Sequence, residues 1–223
     1  MSLLNKILAF NIVVGVMFGC SIDREETNVN NQTKIVQKVK KQKKKRILKE
    51  NEKKYFEDLI SNAIKKSQIE KDYLIIIKKS KHKLKLYKDG KLEKEYKIAL
   101  GFDPVFDKQV EGDGRTPEGD FYICLKNPNS SFHKSMIISY PNKEDAKRGL
   151  ENKLINESLY EKIINALENG RCPPQKTELG GEIAIHGGGI GYDWTLGCVA
   201  LENDDIEEIF SKVKIGTRVI ITY

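Results

Sequence analysis

The stretch from Glu182 to Asn203 constrains this chain more than any other. Two short apolar runs, Ile183 to Ile185 and Val199 to Leu201, enclose a connection that holds Gly187, Gly188, Gly189 and Gly191. Short apolar runs bounded by glycine read as buried strands. The first run ends on His186, and the second begins directly after Cys198. A His at one strand end and a Cys at the start of the next can meet across a ladder. Together they supply a base and a thiol, the minimum for nucleophilic acyl transfer. The thiolate is the reactive species, and a thiol with a pKa of about 8.5 needs a neighbour such as imidazole to lower it. Gly197 permits a tight turn, so that N–H groups near Cys198 can face a developing oxyanion. A small buried thiol and a hydrogen-bonded structural His are the competing readings, because one candidate thiol is only suggestive.

The order of residues shifts that balance. His186-Gly187, a loop, Thr195-Leu196-Gly197-Cys198, and Asn203 five residues beyond the Cys resemble the catalytic motif of the L,D-transpeptidase (YkuD-type) family. Upstream, Gly112-Asp113-Gly114-Arg115-Thr116-Pro117-Glu118-Gly119 is similar to that family's Gly-Asp-Gly-x-Thr-Pro-x-Gly motif. The final run, Gly216 to Tyr223, resembles its last strand. The resemblance covers about Asp72 to Tyr223. Two positions depart from the pattern: Leu196 stands where a second His is frequent, and Ala200 where an Arg is frequent. Neither touches the nucleophile or the base. The second puts in question any substrate contact made through that Arg.

The resemblance implies a mixed β-sandwich with the Cys in a cleft. It also implies a cysteine acyltransferase acting on peptidoglycan stem peptides, with a tetrapeptide stem as donor, D-Ala leaving and a second stem's amine accepting. Carried over, Cys198 is the nucleophile and His186 the base. The Gly187 carbonyl orients the imidazole, and the N–H groups of Gly197 and Cys198 hold the oxyanion. Tyr192, Trp194 and Thr195, on the loop between His and Cys, are the expected substrate contacts, and the glycines would let that loop move as a lid. No metal or organic cofactor is implied, and a monomer is expected. Two alternatives stay open: the same thiol giving the acyl group to water as a wall peptidase or amidase, and a non-catalytic wall-binding lipoprotein whose Cys is structural.

Composition and charge place the rest. The whole chain carries a net +7, while Lys34 to Lys54 holds eleven Lys/Arg against two Glu, a local +9 that leaves −2 for the remainder. Basicity therefore belongs to one segment. At the start, Lys6 precedes an apolar run, Ile7 to Gly19, interrupted only by Asn11. That is long enough for a signal sequence and short of the ~20 residues that span a bilayer. Gly19-Cys20 resembles a lipobox, making Cys20 the expected lipidation site and a lipid anchor the expected membrane link. An ordinary signal peptide or an uncleaved anchor is the alternative. Each version puts the domain outside the cytoplasm, in the cell envelope, which argues against nucleic acid as a partner. Of the other thiols, Cys124 and Cys172 could pair in an exported protein or stay as two buried thiols.

The expected divisions are 1–19 signal peptide, 20–71 charged tether with an amphipathic helix, and 72–223 catalytic domain. Ser21 to about Thr33 reads as a flexible polar tether. Lys38 to Arg46, seven basic residues in nine, reads as a solvated spacer or as a patch for anionic polymer. Phe56, Leu59, Ile60, Ala63 and Ile64 fall on one helical stripe. Strands are expected at Tyr73 to Ile77, around Leu84 and Leu86, at Glu95 to Leu100, Phe121 to Leu125, Met136 to Tyr140 and Arg218 to Tyr223. Asp89-Gly90 marks a hairpin turn, and helices are expected at Glu157 to Leu167 and Asp204 to Val213. The fold class is mainly β: a mixed β-sandwich-like catalytic domain with two or more short helices, preceded by a helical, basic tether. Two other motifs fail. Gly114 to Gly119 lacks the P-loop Lys, since Asp120 stands there, and His186-Gly-Gly-Gly has no Gly-x-Ser-x-Gly elbow to accompany it. His82 reads as exposed among lysines. His133 lines the cleft or lies outside it.

Overall fold

The computed structural model describes residues 22–223. The targeting segment and Cys20 lie outside the described residues. The chain divides into two units, Met1–Lys54 and Tyr55–Tyr223. Helix α1 is Ile22–Glu70, so the stretch expected as a flexible tether is helical where it is described. The reason is compositional: residues 22–70 contain no Gly or Pro and are rich in Lys, Glu and Gln, all strong helix formers. Pairs one turn apart add support, with Arg46–Glu50 at 3.0 Å and Lys66–Glu70 at 3.6 Å. In the second unit, Phe56, Leu59, Ile60, Ala63 and Ile64 pack on Leu74, Ile76 and Ile220 of the sheet. Among the described residues no helix is long and apolar enough to cross a membrane.

Eight strands follow: β1 Tyr73–Lys78, β2 Lys83–Lys88, β3 Lys91–Lys97, β4 Gly119–Ser130, β5 His133–Ile138, β6 Ala184–His186, β7 Val199–Ala200 and β8 Arg218–Thr222. They form one sheet in the order β3-β2-β1-β8-β4-β5-β6-β7. The long strand β4 belongs to both halves, and its register with β5 shifts between Ile123 and Leu125. Such irregularities bend a strand, and the sheet curls there. Ile75, Ile77, Leu84 and Leu86 from one half meet Met136, Ile138, Ile185 and Val199 from the other in a single buried core. The mainly-β, sandwich-like expectation holds, with one curled sheet supplying both layers.

Asp89 and Gly90 both have positive φ, 52° and 75°, as a tight hairpin requires. The return strand β3 therefore starts at once, with Lys88 opposite Lys91, and not at Glu95 as expected. Helices α2 Lys143–Glu151, α3 Glu157–Glu168 and α4 Asn203–Lys212 complete the unit. Helix α2 was absent from the expected elements. It is opened by a capping box in which Asn142 and Asp145 satisfy each other's backbone N–H. Cys124 and Cys172 form a disulfide, which ties β4 to the segment following α3 and decides the pairing left open by the sequence.

Strands β6 and β7 run parallel, with Ile185 opposite Val199 and His186 opposite Ala200. Parallel neighbours cannot be joined by a tight turn and need a crossover of about a dozen residues. The connection here is the twelve residues from Gly187 to Cys198.

Candidate active site

His186 ends β6 and is buried. Its Nδ1 lies 2.6 Å from the Gly187 carbonyl oxygen. A carbonyl only accepts, so Nδ1 carries the proton and Nε2 keeps its lone pair. Burial holds the imidazole pKa below its ordinary value, and the bond to Gly187 only partly opposes this. Phe132 stacks on the ring at 4.7 Å, and Trp194 meets its edge at 5.6 Å. The Trp194 indole N–H donates to the Gly189 carbonyl at 3.1 Å, which fixes that wall.

Cys198 sits immediately before β7 and is half-buried. Its Sγ receives the Ala184 N–H at 3.4 Å and lies 3.6 Å from the Glu182 carbonyl, to which the S–H donates. Among the described residues no hydrogen bond links Sγ to His186. The two side chains therefore flank the ends of adjoining strands, each held by main chain. Burial raises the thiol pKa above its ordinary value, against the Ala184 N–H and the charge of Lys108. The resting pair is a neutral thiol and a neutral imidazole.

Two of the expected site residues, Gly197 and Thr195, brace the turn before the Cys. The Gly197 N–H donates to Thr195 Oγ1 at 3.1 Å, so it is not available to an oxyanion. Thr195 is buried and donates its own hydroxyl to the Cys198 carbonyl at 2.8 Å, which buckles the turn. Gly197 is required for another reason. Its φ is +135°, and an added Cβ would come within 2.7 Å of the Arg115 carbonyl oxygen. Trp194 turns its ring toward His186, while Tyr192 is 74% exposed on the loop. Asn203 accepts the Gly188 N–H at 2.9 Å and ties the glycine segment to the start of α4. Ala200 is buried, with its N–H and carbonyl both bonded to Ala99, and presents no charge to the cleft.

The upstream glycine motif forms the floor. Thr116 is buried, accepts the Gly101 N–H at 3.0 Å and lies 3.5 Å from the Cys198 carbonyl. Burial would raise Asp113, but the N–H groups of Gln109, Val110 and Arg115 with Lys108 outweigh it and hold its carboxyl below the ordinary value. Two lysines that sequence gave no reason to bury are fully inside. Lys79 donates to the Phe106 and Thr116 carbonyls and to Glu118, at 2.7, 2.8 and 3.0 Å. Lys108 donates to the Val110 carbonyl and Asp113 at 3.0 and 2.9 Å.

His133 pairs with Glu207 of α4 at 2.7 Å and does not line the wall around His186; its neighbour Phe132 does. His82 is partly exposed, as expected, yet also reaches Asp193 at 2.9 Å. Phe132 and Asp193 carried no sequence signal beyond their types. Among the described residues no group of three or more His, Cys, Asp or Glu is placed to hold a metal ion.

Comparison with known proteins follows the same outline. Residues 72–221 match the L,D-transpeptidase catalytic domain family (YkuD). The chain is 25% identical over 158 residues to YqjB of Bacillus subtilis, named for the L,D-transpeptidases, across 68% of this chain and 72% of that one. It is 28% identical over 133 residues to YafK of Escherichia coli K12, similarly named, across 58% of this chain and 41% of YafK. Among solved structures it is similar to a variant of the helical cell-shape-determining protein Pgp2 of Campylobacter jejuni. There the identity is 27%, the coverage 67% of this chain and 47% of that one, and the TM-score 0.46. The chain thus spans less than half the length of YafK and of Pgp2. By the extent of the family match, this chain belongs to the L,D-transpeptidase (YkuD) catalytic domain family.

Proposed function

We propose that the protein is a cysteine acyltransferase of peptidoglycan stem peptides. The observation that carries this is the hydrogen bond from His186 Nδ1–H to the Gly187 carbonyl at 2.6 Å, which leaves Nε2 basic on the strand beside Cys198. Substrate entering the cleft brings Sγ and Nε2 together. Nε2 takes the thiol proton as sulfur attacks the donor carbonyl, and the Cys198 N–H stabilises the oxyanion. The tetrahedral intermediate collapses, the carbon–nitrogen bond breaks, and Nε2–H protonates the departing amine. A stem amine then attacks the thioester while Nε2 accepts its proton, and the regenerated thiol recovers a proton from the imidazolium. The Cys198 N–H serves as oxyanion donor because no acceptor engages it among the described residues, unlike the Gly197 N–H.

A second reading has water as acceptor, making the protein a wall peptidase. Its support is Ala200, which offers an incoming acceptor no charged contact. Purified protein incubated with tetrapeptide muropeptides decides between them by mass spectrometry. Cross-linked dimers support transpeptidation, and tripeptide monomers alone support hydrolysis. Turnover that persists in Cys198→Ala removes both. The same proposal places the mature chain in the cell envelope, anchored by lipid on Cys20, with Cys20→Ala expected to leave the membrane fraction. Unchanged partition and processing of that variant, without fatty-acid label on the parent, would exclude the anchor.

A further inference from the structure

Cross-strand neighbours on the outer face of the sheet are complementary at one step and opposed at the next. Lys85 stands opposite Glu95, and the pair closes to 3.0 Å. The next outward-facing row sets Lys83 opposite Lys97, and Lys78 extends it on β1. Like charges facing each other across a ladder are destabilising. Among the described residues no carboxylate lies within ion-pair distance of Lys81, Lys83 or Lys97.

These lysines do not simply face open solvent. With His82 and the loop segment Ile190 to Asp193 they line a cavity of about 410 Å³. Asp193 is the one carboxylate in its lining, and both its oxygens are engaged. Oδ1 accepts the Leu100 N–H at 2.8 Å, and Oδ2 meets His82 Nε2 at 2.9 Å. The cavity is therefore lined by three lysines and His82, against one carboxylate that is already engaged. Its loop wall is part of the connection between His186 and Cys198, and Asp193 directly precedes Trp194 on the His186 ring.

We propose that this cavity is a carboxylate-binding subsite, in which Lys81, Lys83 and Lys97 hold free carboxylates of the peptide stem. The positive charge lacking at Ala200 is thus provided by Lys83 of β2, Lys97 of β3 and Lys81 of the turn before β2. Bound carboxylate relieves the Lys83–Lys97 repulsion and lies against the exposed ring of Tyr192, so the loop segment and the substrate are fixed together. This rests on the stem-peptide reading of the catalytic site.

The test compares the wild-type chain with Lys83→Gln/Lys97→Gln, on stems bearing free carboxylates and on the same stems amidated. The variant should raise KM for the free-carboxylate stem roughly 5- to 10-fold, with kcat within about twofold, and leave the amidated stem unaffected. An unchanged KM overturns the proposal, as does an equal rise with the amidated stem. A readout independent of turnover follows the lysine side-chain NMR signals during titration with glutarate. Saturable shifts in the wild type that vanish in the variant support the subsite even if no muropeptide is converted, in which case only the catalytic reading fails. Shifts that never saturate, or a tighter response to poly(glycerol phosphate) than to glutarate, overturn it.

Discussion

Phe132 lies stacked on His186, with ring centroids 4.7 Å apart and planes 29° from parallel. The contact strips water from one face of the imidazole, and burial is the main cause of its lowered pKa. The base works when neutral, so kcat/KM should rise with pH through a value below the ordinary 6.5. Phe132→Ala rehydrates the ring and should move this acid limb upward, toward 6.5. A pH–rate profile of the variant checks this; a limb that stays in place would show that Phe132 does not set the basicity.

The resting thiol should be slow to alkylate. Burial raises the Cys198 pKa above its ordinary value, so thiolate accumulates only in alkaline solution. Labelling by iodoacetamide should keep climbing beyond the ordinary thiol pKa of about 8.5, well past the pH at which kcat/KM has levelled. Rapid labelling at pH 7 would mean that a thiolate–imidazolium pair already exists in the free protein, contrary to the neutral pair described above.

Lys79→Met should cost about 3–5 kcal/mol of stability, because it removes a fully buried ammonium and leaves two carbonyl groups and the half-buried Glu118 carboxylate without their donor. Urea unfolding measures it. A loss under about 1 kcal/mol would show that water replaces the ammonium at no great cost.

Cys124→Ser should lower stability by about 2–4 kcal/mol, since the disulfide closes a loop across a sequence separation of 48. The bridge touches neither His186 nor Cys198, so kcat at 25 °C should be retained. Thermal melts with and without reductant, alongside muropeptide turnover, check both halves. A folded but inactive variant would place the disulfide in the catalytic machinery.

What the sequence made legible followed from local physics. Alternation in Lys83 to Lys88 and the Asp89-Gly90 turn gave the hairpin, and the helical stripe from Phe56 to Ile64 gave the helix that covers the sheet. Helix α2 was less visible because Lys143–Glu151 is nearly all polar; its capping pair, Asn142 and Asp145, was the available signal. At the site, the pairing of His186 with Cys198 came from their order along the chain, and the Gly187 carbonyl from the family resemblance. The roles of Thr195 and Gly197 did not, because which N–H is occupied depends on how the turn closes. Phe132 reaches His186 only through the pairing of β5 with β6, a long-range fact that no local pattern announces. Lys79 and Lys108 look like surface lysines until the loops carrying their acceptors close over them.

The parallel pairing of β6 with β7 makes loop length an asymmetric variable. Twelve residues are close to the shortest span that can leave the end of one parallel strand and return to the start of its neighbour. Removing even two would pull Cys198 out of register with Ala184 and detach the thiol from its main-chain support. Adding residues near Gly191, where an added Cβ meets nothing within 4 Å, leaves both strands paired. Engineering of specificity at this site can therefore proceed by extension of the loop and not by trimming.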